Sequence, residues 1–394
     1  MLRLSKEFVD DPHSVYRQLR EGGPVHQVTM WNGLRAWMIT GYDEARALLS
    51  DPRLAKDGVT AAALYPTGTA TAIGSVLGNN MLFKDPPDHT RLRRFITAAF
   101  TAHTVQRLRP AIWQITGELL DAIEPGLQTD LMQALAQPLP VRVIGELLGV
   151  PAAERELFRS LVVPIFTSTD ASEIRPAQRG LTALLTDVIA AKRSQPGDDV
   201  LSDLIRRRDD GDQLSEEELL GTAFLLIIAG FDTTVNLIGN GTLELLRHPD
   251  QLAALRADRA LLPGAIEEIL RFESPLNTAT VRFTAAPVTI RDIEIPAGEL
   301  VLIALLSANR DEQQFPDADR FDITRNDNRH IAFGRGIHHC LGAPLARMEA
   351  EIAFDRLLSR FGDIRLASDE PLTYRPSTLM RGLHALPVVL GPAT

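Results

Sequence analysis

Between Ser215 and Pro249 the sequence reads as one uninterrupted helix, and a rod of that length dictates what can surround it. Ser215 followed by Glu218 has the form of a capping box, and His248-Pro249 closes the other end. The segment 216–246 is therefore about 31 residues, roughly 46 Å at 1.5 Å per residue, enough to cross a whole domain. Four glycines interrupt it at 221, 230, 239 and 241, each costing about 1 kcal/mol relative to alanine, so packing or function must offset them. At its centre Ala229-Gly230-Phe231-Asp232-Thr233-Thr234 places an acid and two hydroxyls in the most apolar stretch, where they need partners. A mid-helix threonine can bond the carbonyl one turn back and bend the helix there.

Apolar spacings of three and four predict further helices over 91–123, 129–149, 176–194 and 341–361, with Pro or Gly at many ends. Short β-branched runs at 34–40, 287–295 and 299–304 read as strands and are too few for a large sheet. One mainly helical domain over 1–394 with small sheets is the economical reading. Hydrophobic residues make up 45% and charged residues 23%, the balance of a packed globular chain. A net charge of −10 gives no global attraction to nucleic acid or anionic lipid. The apolar run from Leu219 to Gly230 falls short of the roughly 20 residues a bilayer span needs, and the first thirty residues hold no signal-length apolar run. The expectation is a cytoplasmic protein with no membrane or nucleic-acid partner.

The single cysteine, Cys340, excludes an internal disulfide and an all-cysteine zinc site. It lies in Phe333-Gly334-Arg335-Gly336-Ile337-His338-His339-Cys340-Leu341-Gly342, just before an amphipathic helix whose first turn holds Pro344. Amides and the dipole at that helix start favour a thiolate, and the glycines let the backbone approach something flat or bulky. A buried structural thiol leaves the glycines and cations unexplained. A nucleophile needs a base from elsewhere in the fold, which His338 and His339 are too near in sequence to be. A zinc site lacks convergent spacing. A dinucleotide loop would need glycine where His339 stands. A fourth reading, beside these, is axial thiolate ligation of haem iron.

Residues 333–342 resemble the haem-ligand signature of the cytochrome P-450 family, in particular its soluble bacterial members, with every fixed position present. Glu268-Ile269-Leu270-Arg271 is similar to that family's Glu-x-x-Arg pair, whose third member is Arg320 or Arg325; by itself the spacing also fits an ordinary surface ion pair. Ala229 to Thr234 resembles the oxygen-binding segment of the central helix, and His89-Thr90-Arg91-Leu92-Arg93 resembles the helix that brings a histidine and an arginine to a haem propionate. The resemblance implies a triangular helical prism holding haem b, iron protoporphyrin IX. Cys340 would be the metal ligand, and Ala229, Gly230, Phe333, Gly334 and Gly342 would line the cofactor. His89, Arg93, Arg282 and His338 would meet the propionates through charge-assisted bonds. Asp232 and Thr233 would relay protons for dioxygen activation.

The implied activity is a haem-thiolate monooxygenase that hydroxylates or epoxidises a bulky, largely apolar natural product. The alternatives are a non-oxygenating haem-thiolate protein and a coupling or desaturating enzyme on the same scaffold. Fifty-four residues follow Cys340, too few for a fused reductase, so electrons are expected from NAD(P)H through ferredoxin reductase and ferredoxin. Arg91, Arg94, Arg107, Arg109, Arg335, His339 and Arg347 are expected to form the ferredoxin-docking face of a monomer. By resemblance the substrate meets Val76 and Leu82 from the 58–82 loop, Leu225, the segment with Asn277, Thr278 and Thr280, and Leu379 and Met380. The three polar residues are expected to offer hydrogen bonds above an apolar cavity, and the loop to close over the ligand.

Overall fold

The computed structural model describes residues 2–5, 7–64, 78–168, 170–209 and 214–392. Its axis is the helix Glu216–Arg247, begun by the expected reciprocal cap: Ser215 Oγ accepts from the Glu218 amide at 3.1 Å, and the Glu218 carboxylate accepts from the Ser215 amide at 2.9 Å. Glu218 also takes the guanidinium of Arg91 at 2.5 Å, which ties the start of this helix to the helix Asp88–Ala99. The twelve-residue apolar run understates the helix. Its most apolar 18-residue window has a mean hydropathy of 1.6, long and apolar enough to cross a membrane by length and composition, but 72% of that window is buried inside the protein.

The helices Pro138–Leu148, Leu262–Phe272 and Ala343–Arg360 are among those that pack along it. The interior glycines make that approach feasible. A Cβ on Gly241 would lie 2.6 Å from Phe354 Cζ, and one on Gly239 would lie 2.5 Å from the Met132 sulfur.

The single helix expected over 91–123 is instead three, Asp88–Ala99, Ala102–Arg107 and Arg109–Asp121. Thr101 accepts from the Thr104 amide at 3.1 Å and starts a new helix, and Pro110 fits only a first turn. A helix at Arg155–Thr167, absent from the periodicity reading, carries Pro164 inside it, which obscures the pattern.

The expected strands form, at Arg35–Ile39, Val288–Ile290 with Ile293–Ile295, and Leu300–Ile303. They belong to more sheet than expected: a six-stranded sheet runs Leu2–Arg3, Val25–Thr29, Arg35–Ile39, Leu300–Ile303, Arg282–Thr284, Leu54–Ala55. Its added strands are two to five residues long, too short to show an alternation. Antiparallel pairing of Ala55 with Phe283 carries the next residues, Lys56 and Arg282, side by side toward the interior.

A buried charge cluster joins the two ends of the chain. Glu273 accepts from Arg381 Nε at 2.7 Å, pairs with His13 at 2.6 Å and takes Arg310 at 3.4 Å. Arg381 continues to the carbonyls of Val9 and Asp10. Burial acts to raise the Glu273 carboxyl, and His13, Arg381 and Arg310 together outweigh it and hold the group well below its ordinary range.

Candidate active site

The cysteine loop is pinned by backbone bonds: the Cys340 amide donates to Phe333 O at 2.9 Å and the His339 amide to Gly336 O at 3.0 Å. Gly334 and Gly336 adopt φ of 69° and 74°, which L side chains rarely occupy. The close approach at Gly336 is to protein, since a Cβ there would lie 2.9 Å from Leu49 O. Cys340 is exposed, as are Arg335, Gly336, Ile337 and His339 of the same loop, ahead of the helix Ala343–Arg360. Surrounding atoms push its thiol up; the Gly342 amide, Arg93, the Ala343 amide and Arg347 pull it down only in part. The helix start alone therefore does not yield the thiolate expected above, and a coordinated metal would supply the missing stabilisation.

Arg347 does not stand free on a docking face. It grips Glu267 at 2.6 Å and lies 4.4 Å over the Phe333 ring, and His330 meets the same carboxylate at 3.0 Å. Burial acts to raise Glu267, but these hydrogen bonds hold it down at about 2. Arg109 pairs with Glu351, Arg107 with Asp198, and Arg91 with Glu218 and Asp88. Of the expected basic face, Arg94 and Arg335 are exposed with no ion pair among the described residues.

The next residue of that helix, Glu268, is fully buried with Arg271, so this is no surface pair. Glu268 takes Arg271 twice at 2.8 Å, Arg325 at 3.2 Å and Asn328 at 3.1 Å. Arg325 is thus the third member. Arg320 contributes only its carbonyl, 3.1 Å from Arg271 Nη2, while its side chain is 65% exposed beside Asp322.

His89, Arg93, Arg282 and His338 converge with Lys56, which the sequence reading did not single out. The rings of His89 and His338 are 4.2 Å apart. Both ring nitrogens of His89, Nε2 of His338 and Nε of Arg282 are buried without a hydrogen-bond partner among the described residues. Burial, then Lys56, His89, Arg282 and Arg93, drives the His338 imidazolium down to about 2; burial lowers Arg282 to about 10. Lys56, 2% exposed, is pushed well below its ordinary value by burial and by Arg282, with Asp85 the counter-charge that acts on it. A crowded cluster of basic side chains that repel one another's charge, with buried nitrogens left unbonded, is suited to a multiply charged anion that would restore their protons and take their hydrogen bonds. These residues fit a haem with its two propionates. A lone lysine after a two-residue strand carries no signal that separates it from a surface residue, which is why it went unseen.

On the central helix Ala229 is exposed and Gly230 and Thr233 are half-buried although their neighbours are core, so this stretch is the accessible part of an otherwise buried centre. Thr233 Oγ1 donates to Ala229 O at 2.6 Å. Asp232 is 7% exposed and pairs with Arg375 at 2.5 Å. Burial pushes its carboxyl up, and Arg375 offsets this only in part.

The expected polar substrate contacts are engaged elsewhere. Asn277 Oδ1 accepts from Tyr16 at 2.7 Å and its amide donates to Thr378 O at 3.2 Å; Thr278 donates to the same carbonyl at 3.1 Å; Thr280 accepts from Lys56 at 2.5 Å. The Asn277 and Thr278 bonds seat the segment bearing Leu379 and Met380, both half-buried. Leu225 is buried and Leu82 half-buried; Val76 lies outside the described residues.

Residues 156–382 match the family model for cytochrome P450. Cytochrome P450 107B1 of Saccharopolyspora erythraea is 49% identical, covering 98% of this chain and 97% of the relative. The chain belongs to the cytochrome P450 family. The 6-deoxyerythronolide B hydroxylase of the same organism is 43% identical over 98% of each chain. A solved structure, the tirandamycin C-bound P450 monooxygenase TamI, superposes with a TM-score of 0.92 at 48% identity, covering 99% of this chain and all of that one. The P450 is accordingly an oxygen-incorporating oxidoreductase, and its family implies haem iron.

Proposed function

We propose that this P450 holds haem b through Cys340, with His89, Arg93, Arg282, His338 and Lys56 around the propionates, and oxygenates a bulky, largely apolar natural product. The observation that carries the reading is the cluster of basic side chains, with nitrogens of His89, Arg282 and His338 left without a partner among the described residues, that gathers at His338 of the cysteine loop. The bound group would supply dioxygen binding and reductive cleavage, favoured by an electron-rich thiolate. Thr233 uses its hydrogen on Ala229 O and keeps its lone pairs to accept from a water, while Asp232, its carboxyl raised by burial, takes and passes a proton. With the Asn277, Thr278 and Thr280 groups engaged in the protein, shape and apolar contact select the substrate. Relatives named for 6-deoxyerythronolide B and tirandamycin C support a large oxygenated natural product.

Electrons reach the site from NAD(P)H through ferredoxin reductase and a ferredoxin that docks over Arg94 and Arg335 on a monomeric, cytoplasmic enzyme. Ferrous protein exposed to carbon monoxide is expected to show the strongly red-shifted Soret band of thiolate ligation. Its persistence in Cys340→Ala would refute the assigned ligand.

A further inference from the structure

The guanidinium of Arg375 joins three parts of the fold at one point. Nη2 donates to Asp232 Oδ1 at 2.5 Å and to Asn236 Oδ1 at 2.9 Å, both on the central helix. Nη1 donates to Phe166 O at 3.0 Å, in the last turn of the helix Arg155–Thr167. The Arg375 amide donates to Gly382 O at 2.8 Å, holding the segment that carries Leu379 and Met380. A carbonyl in a last turn has no partner within its helix and sits at the negative end of the dipole, so a cation there is doubly favoured. The Phe166 ring meets Phe231 at 5.2 Å, and the same turn therefore touches the central helix beside Asp232.

Asp232 Oδ2 has no protein hydrogen bond among the described residues, while Oδ1 is held. The Asn236 amide nitrogen is also buried without a partner among the described residues, because the guanidinium takes the oxygen end of that side chain. With Nη1 fixed on Phe166 O and Nη2 on Asp232 Oδ1, the planar guanidinium constrains how the carboxylate sits and so where Oδ2 points.

We propose that Arg375 is a positioning residue that presents Asp232 Oδ2 for proton delivery only while the helix Arg155–Thr167 is seated on the central helix. It rests on the relay role given to Asp232 above. When that helix withdraws, Phe166 O leaves, the guanidinium loses its anchor on that side, and the carboxylate is no longer aimed. Seating of one helix is thereby linked to the acid on another.

The test uses the haem-loaded full chain with reduced bacterial ferredoxin, its reductase and air, following reductant oxidation and its solvent deuterium isotope effect. Asp232→Asn is expected to slow oxidation about ten-fold and raise the isotope effect. Arg375→Met should match it, and the double variant should be no slower than Asp232→Asn, since both remove one function. Arg375→Lys keeps the charge but not the fork; amide exchange across residues 160–168 should rise about ten-fold in it and stay unchanged in Asp232→Asn. Wild-type oxidation by Arg375→Met beside a slowed Asp232→Asn, additive losses in the double variant, or unchanged exchange in Arg375→Lys would each overturn the coupling and leave the relay intact. Wild-type oxidation by Asp232→Asn would overturn the relay itself, and the coupling with it.

Discussion

Lys56 and Glu267 show how much a single side chain contributes here and how unevenly the sequence reveals it. The Phe333–Gly342 signature announced its cysteine, and His89 and Arg93 were legible one helical turn apart. Lys56 was not, because only the register of two short strands places it beside Arg282. Replacing it by methionine removes a buried positive charge from the cation cluster. The ferric-to-ferrous potential of the loaded protein should become more negative, and haem should transfer to an apo-globin acceptor about ten-fold faster; Lys56→Arg should behave like the native protein in both assays. The pH dependence of Glu267 follows from its depressed carboxyl. A group lowered to about 2 in the folded chain stabilises it fully above the ordinary carboxylate range of about 4.3, and that contribution is lost as pH falls toward 2. The difference in thermal midpoint between the native protein and Glu267→Gln should be constant above about pH 5 and shrink below it.

Among the elements, the central helix was the most legible, since its cap, its stop and its acid-alcohol pair all lie in contiguous sequence. The sheet was the least, since strands of two to five residues from both ends of the chain gain stability only from one another. The Glu268 clamp was half legible. Helical spacing identified Arg271, but Arg320 and Arg325 converge on one spot, one by its carbonyl and one by its side chain, which spacing cannot separate. Glycines divide by surroundings in the same way. Gly241→Ala would press on Phe354 and Ile269, and the overpacking, typically about 1–3 kcal/mol, outweighs the roughly 1 kcal/mol gained in helix propensity. Gly145, within Pro138–Leu148, has nothing within 4 Å of an added Cβ, so Gly145→Ala should stabilise by about 0.5–1 kcal/mol. Denaturant midpoints of the two variants should therefore move in opposite directions.

For the molecule as a whole, ion pairing redraws the basic face. Arg91, Arg107, Arg109 and Arg347 are neutralised within the protein, so charge reversal at Arg347 would loosen the cysteine loop and say nothing of docking. Arg94 and Arg335 are the informative pair. Arg94→Glu with Arg335→Glu should slow ferredoxin association at least ten-fold at low ionic strength and flatten its salt dependence, with the haem spectrum unchanged; an unaltered association rate at low salt would move the docking site elsewhere. The Glu273 cluster has a consequence in time as well as in space. Arg381 bonds the carbonyl of Val9, a partner 372 residues earlier. During synthesis at about 5–20 residues per second, the opening segment leaves the ribosome roughly 20–70 s before the arginine that secures it. Val9 and Asp10 are thus made long before the arginine that caps their carbonyls, and through that interval those carbonyls must find other partners.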